Sequence, residues 1–319
     1  MNAIEIRNLN KSFGSKQAVR NLNMTVPQGA IYGFIGENGS GKSTTEKIIC
    51  GLIHENSGSV KLYGRDHTNP GVREHIGVLI ESPGCFPNIS VWNNMMLQAT
   101  NLGIKNPEKE IARVLKTVRM EGAASNKFRN CSLGMKQRIG IAFALLGDPA
   151  LLVLDEPING LDADGMRIMR EVLTDITRKD GRTVLISSHI LGELEKIATH
   201  YGIIRHGRMV KEMTAQELEE SCRTYIALKT GDMARTKRLL QSRYARVEED
   251  EGGYLRIYDL VPSRVVVRFL YENGIITGEI KSARINLEEY YIDLMQEKES
   301  SAHREEQAPH APYTEMEGR

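Results

Sequence analysis

The stretch Gly36-Glu37-Asn38-Gly39-Ser40-Gly41-Lys42-Ser43-Thr44 gathers three glycines, a lysine and adjacent hydroxyls into nine positions. It fits G-x-x-x-x-G-K-[ST], a spacing that points successive backbone N–H groups inward at a triphosphate. The glycines matter because a side chain would block close approach of the backbone. Lys42 would neutralise the β- and γ-phosphates, and the Ser43 hydroxyl would ligate Mg²⁺.

Three other places hold groups suited to the same chemistry. Leu151-Leu152-Val153-Leu154 runs into Asp155-Glu156-Pro157, two carboxylates at the end of an apolar run. There Asp155 would hold the Mg²⁺ shell and Glu156 would polarise an attacking water. Thr183-Val184-Leu185-Ile186-Ser187 leads to His189, which at that end of a strand can reach a γ-phosphate. Phe13 precedes the glycine-rich stretch and could stack on an adenine ring.

These groups meet only if regular elements carry them. Ala30–Ile35 reads as a buried strand and Thr44–Cys50 as a helix start, so a helix dipole faces the phosphates. Continuous apolar runs such as 151–154 and 183–186 suit a parallel sheet buried on both faces, whose strand ends bind ligands. Alternation over residues 3 to 9 suits a half-exposed strand. Ser59–Gly64 and Ile76–Ile80 read as further strands, the latter running into Glu81-Ser82-Pro83-Gly84. Between Val91 and Phe128 the pattern turns helical, which predicts an inserted helical subdomain over about 83–147. Ser132 is placed to cap the helix that follows, and a capped helix start can also hold an anion.

Composition narrows the classes. The chain has 319 residues, enough for two domains, and 40% hydrophobic content. With 42 Lys plus Arg against 41 Asp plus Glu, charge makes no case for nucleic acid. No apolar run approaches the roughly 20 residues needed to cross a bilayer, so any transport role requires a partner. The opening Met1-Asn2-Ala3-Ile4-Glu5 lacks the marks of a secretory signal, which predicts a cytoplasmic protein. Cys50, Cys85, Cys131 and Cys222 are far apart in sequence and suggest neither zinc nor a disulfide framework.

Taken in this order, the motifs resemble the ATP-binding subunit of ATP-binding-cassette transporters over about the first 210 residues. By that resemblance Phe13 is the adenine-stacking aromatic, residues 36 to 43 the Walker A loop, Asp155 and Glu156 the Walker B pair, and His189 the switch histidine. Asn159 to Asp162 resembles the D-loop. Cys131 to Met135 occupies the place of the signature L-S-G-G-Q, keeping Ser132 and Gly134 but carrying Leu133 and Met135. In the family this segment meets the nucleotide held by the opposite subunit. Glu81 stands where most members carry the Q-loop glutamine, and a carboxylate there can ligate Mg²⁺. Glu81 with Ser-Pro-Gly, and the S-L-G-M-K-Q form of the signature, resemble the subgroup exporting or resisting bacitracin-like and lantibiotic peptides.

The resemblance implies an α/β P-loop NTPase cassette, a RecA-like parallel sheet core plus helical subdomain, spanning 1–212. It implies ATP and Mg²⁺ as ligands, a second ATP-binding subunit in a homodimer, and polytopic permease subunits that bring the protein to the inner face of the membrane. The alternatives are a soluble cassette ATPase and a regulatory ATP-binding module. A single phosphate loop and no long coiled coil before Asp155 oppose the first; Lys42, Asp155, Glu156 and His189 together oppose the second.

Past His206-Gly207-Arg208 the pattern changes. A helix around Gln216–Ser221 precedes strands at 224–229, 245–249, 254–258 and 275–280, with helices at 233–242 and from Pro262 to Gly274. Glu251-Gly252-Gly253 reads as a hairpin turn. Strand, helix, strand, strand, helix, strand predicts a small α+β ferredoxin-like domain over 213–296. Asn286-Leu287-Glu288-Glu289 looks like a capping box for a last helix. Residues 297–319 are charged and rich in Glu, Ser, Ala and Pro, which predicts a disordered tail.

Overall fold

A computed structural model of the chain describes residues 1–222, 224–250, 252–259 and 261–295; the tail expected from 297 onward, and Glu251 of the expected hairpin turn, lie outside them. The chain divides into two compact units, Met1–Glu217 and Leu218–Arg319.

The first unit is built on two sheets. An antiparallel sheet has the order β2 (Lys16–Pro27), β1 (Asn2–Phe13), β4 (Ser57–Leu62), β5 (Arg65–Asp66). A second sheet runs β10 (Arg208–Thr214), β9 (His200–Arg205), β3 (Ile31–Ile35), β8 (Thr183–Ser188), β7 (Leu151–Asp155), β6 (Ile76–Leu79). Its strands are parallel except for β10, which pairs antiparallel with β9 along the edge. Strand β3 is buried throughout, and so is β7 up to Leu154, as their unbroken apolar runs require.

Register decides what shares an end of this sheet. Asp155 stands opposite Ser187, and Ile35 opposite Ser188, so the chain leaves β3, β7 and β8 along one line. Helix α1 (Lys42–Ile49) follows β3, and its Ile48 and Ile49 join Leu22, Val60, Val153 and Leu185 in one apolar cluster that binds both sheets. Burying such side chains stabilises by about 1.5–3 kcal/mol each.

After the short α2 (Pro70–Arg73), the insert between β6 and β7 is helical: α3 (Val91–Asn101), α4 (Pro107–Thr117) and α5 (Leu133–Ala144). Helix α5 seats closely on β6, because a Cβ at Gly77 would lie 1.9 Å from the Ala144 carbonyl oxygen. The seat fixes where the N-terminus of α5, with Ser132 as its cap, points. Helices α6 (Ala163–Asp180), α7 (Leu191–Leu194) and α8 (Ala215–Ser221) complete the run.

The sequence pattern places the change of architecture at 206–208, but His206 and Gly207 form the turn of the β9–β10 hairpin. Both residues take positive φ, at 48° and 77°. Helix α1 also begins two residues earlier than expected, at Lys42.

The second unit has β11 (Thr224–Thr230), α9 (Met233–Gln241), β12 (Val247–Glu249), β13 (Leu255–Ile257), α10 (Ser263–Glu272) and β14 (Thr277–Arg284). Its antiparallel sheet has the order β12-β13-β11-β14, the ferredoxin-like arrangement that the element order anticipates. Leu240, Tyr244, Val266 and Leu270 pack its two helices on Ile226, Leu228, Leu255 and Ile257. Residues 287–295 are helical. Asn286 and Glu289 close their capping box in both directions, at 2.9 and 3.4 Å.

Candidate functional site: a nucleotide cleft at the end of the parallel sheet

Between β3 and α1 the chain turns through residues 36–41. Gly41 sits at the helix N-cap with φ 113° and no side-chain cap, so the N–H groups of the first turn are left for an anion. A Cβ at this position would lie 2.7 Å from the Ala18 carbonyl oxygen, so only glycine lets the loop pass under β2. Lys42 reaches back over the loop, its Nζ donating to the carbonyls of Gly36 at 2.6 Å and Glu37 at 3.2 Å. The loop is tied down by Ser40 N–H to Glu37 O and Gly207 N–H to Ser40 O, at 3.1 and 2.8 Å.

The loop opens onto a cleft of about 280 Å³. Phe13, Asn38, Lys42, Ser43, Asp155 and Glu156 line it, together with Gly39, Gly41, Thr44 and the strand residues Lys16 and Ala18. Phe13 is 51% exposed at the end of β1, and the Lys11 ammonium lies 5.0 Å from its ring centre. A large aromatic with this exposure at a cleft mouth offers a free π-face.

The acidic end of the cleft is held from behind. Ser43 Oγ donates to Asp155 Oδ2 at 3.2 Å, and Ser187 Oγ donates to Asp155 Oδ1 at 2.8 Å. Glu156 takes φ 50°, a left-handed conformation that costs a non-glycine residue free energy. It is held there by its N–H, which reaches both the carbonyl and the hydroxyl of Ser187 at 3.2 Å. His189 Nδ1 lies 2.8 Å from Glu156 Oε2. The histidine therefore faces the carboxylate that the sequence marks as the base, with its ring half exposed.

The structure thus brings together Phe13, the 36–44 loop, Asp155, Glu156 and His189. Other expected site residues lie elsewhere in this unit. Glu81 does not line the cleft: at φ 66° it is 72% exposed and paired with Lys47 at 2.9 Å, which holds its carboxyl below the usual range. Ser132 caps α5 by accepting the Met135 N–H at 3.3 Å. Gly134 sits beside Leu161, and Asp162 caps α6 by accepting the Gly165 N–H at 2.8 Å. Signature and D-loop segments are therefore neighbours within one chain, outside its own cleft.

Two site residues were not singled out from sequence. Ser187, the last residue of an expected strand, orders both Asp155 and Glu156. Glu46 is wholly buried, and among the described residues neither carboxyl oxygen has a hydrogen-bond partner. Ser187 lies close by but gives its proton to Asp155. Burial first, then the charge of Asp155, push the Glu46 carboxyl well above its usual range. An acid among the apolar positions of α1 was the visible signal.

Residues 19–159 match the family model described as ABC transporter. The chain is 35% identical to the bacitracin transport ATP-binding protein BcrA of Bacillus licheniformis, over 92% of this chain and 97% of that one. The chain belongs to the ABC transporter family. It is 40% identical to the lantibiotic transport ATP-binding protein SrtF of Streptococcus pyogenes, covering 68% of this chain and 94% of the relative. Among solved structures, cbiO1 from Clostridium perfringens, part of the ABC transporter complex cbiONQ, superposes with a TM-score of 0.63 at 25% identity. That match covers 69% of this chain and 91% of cbiO1. As an ABC ATP-binding subunit, this chain binds and hydrolyses ATP.

Proposed function

We propose that this chain powers export of a peptide antibiotic of the bacitracin or lantibiotic type through separate membrane subunits, to which it docks at the inner face of the membrane. Two relatives carry such names: BcrA, whose match covers 92% of this chain, and SrtF, whose match covers 68%. Among the described residues no helix is long and apolar enough to cross a membrane, which supports a separate permease. Phe86, 62% exposed just beyond Glu81, offers an apolar contact for such a partner.

The observation that carries the reaction is the Glu156–His189 pair beside the Ser43–Asp155 pair. Geometry supports Glu156 as the base: Ser187 and His189 aim it at the cleft, where its carboxylate takes a proton from water. Phe13 stacks on the base, and Lys42 exchanges its loop carbonyls for phosphate oxygens. Ser43 and Asp155 present hard oxygen donors 3.2 Å apart, a fit for a divalent cation such as Mg²⁺. When bound, Mg²⁺ neutralises charge developing on the β- and γ-oxygens. Ser132, Gly134 and Met135 face outward from the cleft's own chain, so we assign them to the nucleotide of a second copy.

The test is copurification. Membranes holding the chain with its candidate permease should yield an ATP-dependent transporter in liposomes that exports a bacitracin-like peptide. A chain that stays partnerless and fails to lower peptide sensitivity of cells would sink this reading.

A further inference from the structure

The sheet of the second unit leaves one long edge open. Among the described residues β14 pairs only with β11, and it runs for eight residues; the opposite edge, β12, has three. Five of the eight β14 residues are exposed, among them Glu279, Lys281 and Ser282. Alternate residues of such a strand direct N–H and C=O groups outward, which is a template for another strand.

The side chains on this edge restrict what can pair with it. Glu279 and Lys281 lie on one face, both held by Tyr254: the Tyr254 hydroxyl donates to Glu279 at 2.5 Å, and the Lys281 ammonium lies 4.2 Å from its ring. A lysine in the middle of an edge strand opposes pairing with a generic apolar strand. It accepts a strand that presents an acid opposite, and β14 itself is such a strand. Antiparallel pairing centred on Ile280 sets Glu279 against the partner's Lys281 and Lys281 against the partner's Glu279. Gly278 then faces the partner's Ser282, with no bulky clash.

We propose that β14 is a self-association edge: two copies of this chain join their second units into one continuous eight-stranded sheet, specified by the reciprocal Glu279–Lys281 pairs. The contact is isologous, as a two-fold dimer requires. It rests on the dimeric reading above only for its purpose, since it would hold two cassettes near each other between rounds of nucleotide binding.

Charge reversal tests it on the full chain. Sedimentation without nucleotide, at low salt, should show a dimer for the native chain and about tenfold or more weaker association for E279K and for K281E. The double variant E279K/K281E should regain the native constant. Mixing E279K with K281E chains should yield heterodimers, because every cross-strand pair is then opposite in charge; this outcome excludes simple unfolding of the single variants. Equal association of all four chains, a native monomer, or no heterodimer on mixing would each overturn the proposal. ATP-driven dimerisation of Glu156→Gln combined with E279K, measured separately, keeps the two readings apart: it persists if only the β14 contact is wrong, and is absent if the cassette sandwich is wrong.

Discussion

His189 Nδ1 lies 2.8 Å from Glu156 Oε2, so the histidine at the end of β8 orients the carboxylate at the end of β7. Both groups are aligned because their strands are adjacent and parallel, with Asp155 opposite Ser187. Glu156→Gln should keep nucleotide affinity near native while turnover falls by about 10²–10⁴-fold, the contribution of a positioned base. Steady phosphate release by that variant would refute the assignment. His189→Ala should lower turnover less than Glu156→Gln.

Phe13 faces the cleft with half its surface free. Replacing it with Ala should raise the dissociation constants of ATP and ADP by the same factor, about tenfold, since a stacked base is worth about 1–3 kcal/mol. Fluorescent-nucleotide titration measures this. A loss confined to ATP would place the aromatic near the phosphates instead of the base.

The Ser132 hydroxyl accepts the Met135 N–H and keeps its own proton for another acceptor. Ser132→Ala should cost about 1 kcal/mol of stability through the lost cap. It should also weaken the ATP-dependent dimer of a Glu156→Gln background while leaving nucleotide affinity of the monomer intact. Size-exclusion chromatography with and without ATP, on chains that also carry E279K so that the β14 edge does not contribute, separates these effects; a dimer of native strength would remove the signature from the second copy's site.

Glu46 gives a pH signature. Its carboxyl titrates higher in the folded chain than in the unfolded one, so folding holds its proton. The stability associated with that proton is full below the ordinary carboxylate range and is lost as pH rises towards the folded value. Glu46→Gln removes the ionisable group from an unpartnered buried site, where the cost is about 1–3 kcal/mol. Its melting temperature should lie nearest that of the native chain near pH 4 and exceed it by a few degrees near pH 8. Parallel melting curves across that range would show that Glu46 has found a partner.

The chemistry was legible from local spacing. A glycine-rich turn before a lysine, an apolar strand ending in two acids and a strand ending in histidine each report their function within a few residues, because backbone torsions and strand burial are local constraints. The same holds for the ferredoxin-like order of the second unit, where propensity, turns and capping residues agree at each step. The antiparallel partner strands β2 and β10 were less visible, since their half-polar faces are defined by the neighbours they pair with.

From the amino-acid order alone came the ligand class, the two-unit plan and the proposal that Glu156 is the base, since these depend on residue types at short separations. Tertiary structure alone decided that Ser187 aligns both acids, that Glu46 is sealed without a partner, that Glu81 turns to Lys47, and that β14 is left as an open edge. Each of these depends on contacts or register between segments far apart in the chain, which no local spacing encodes.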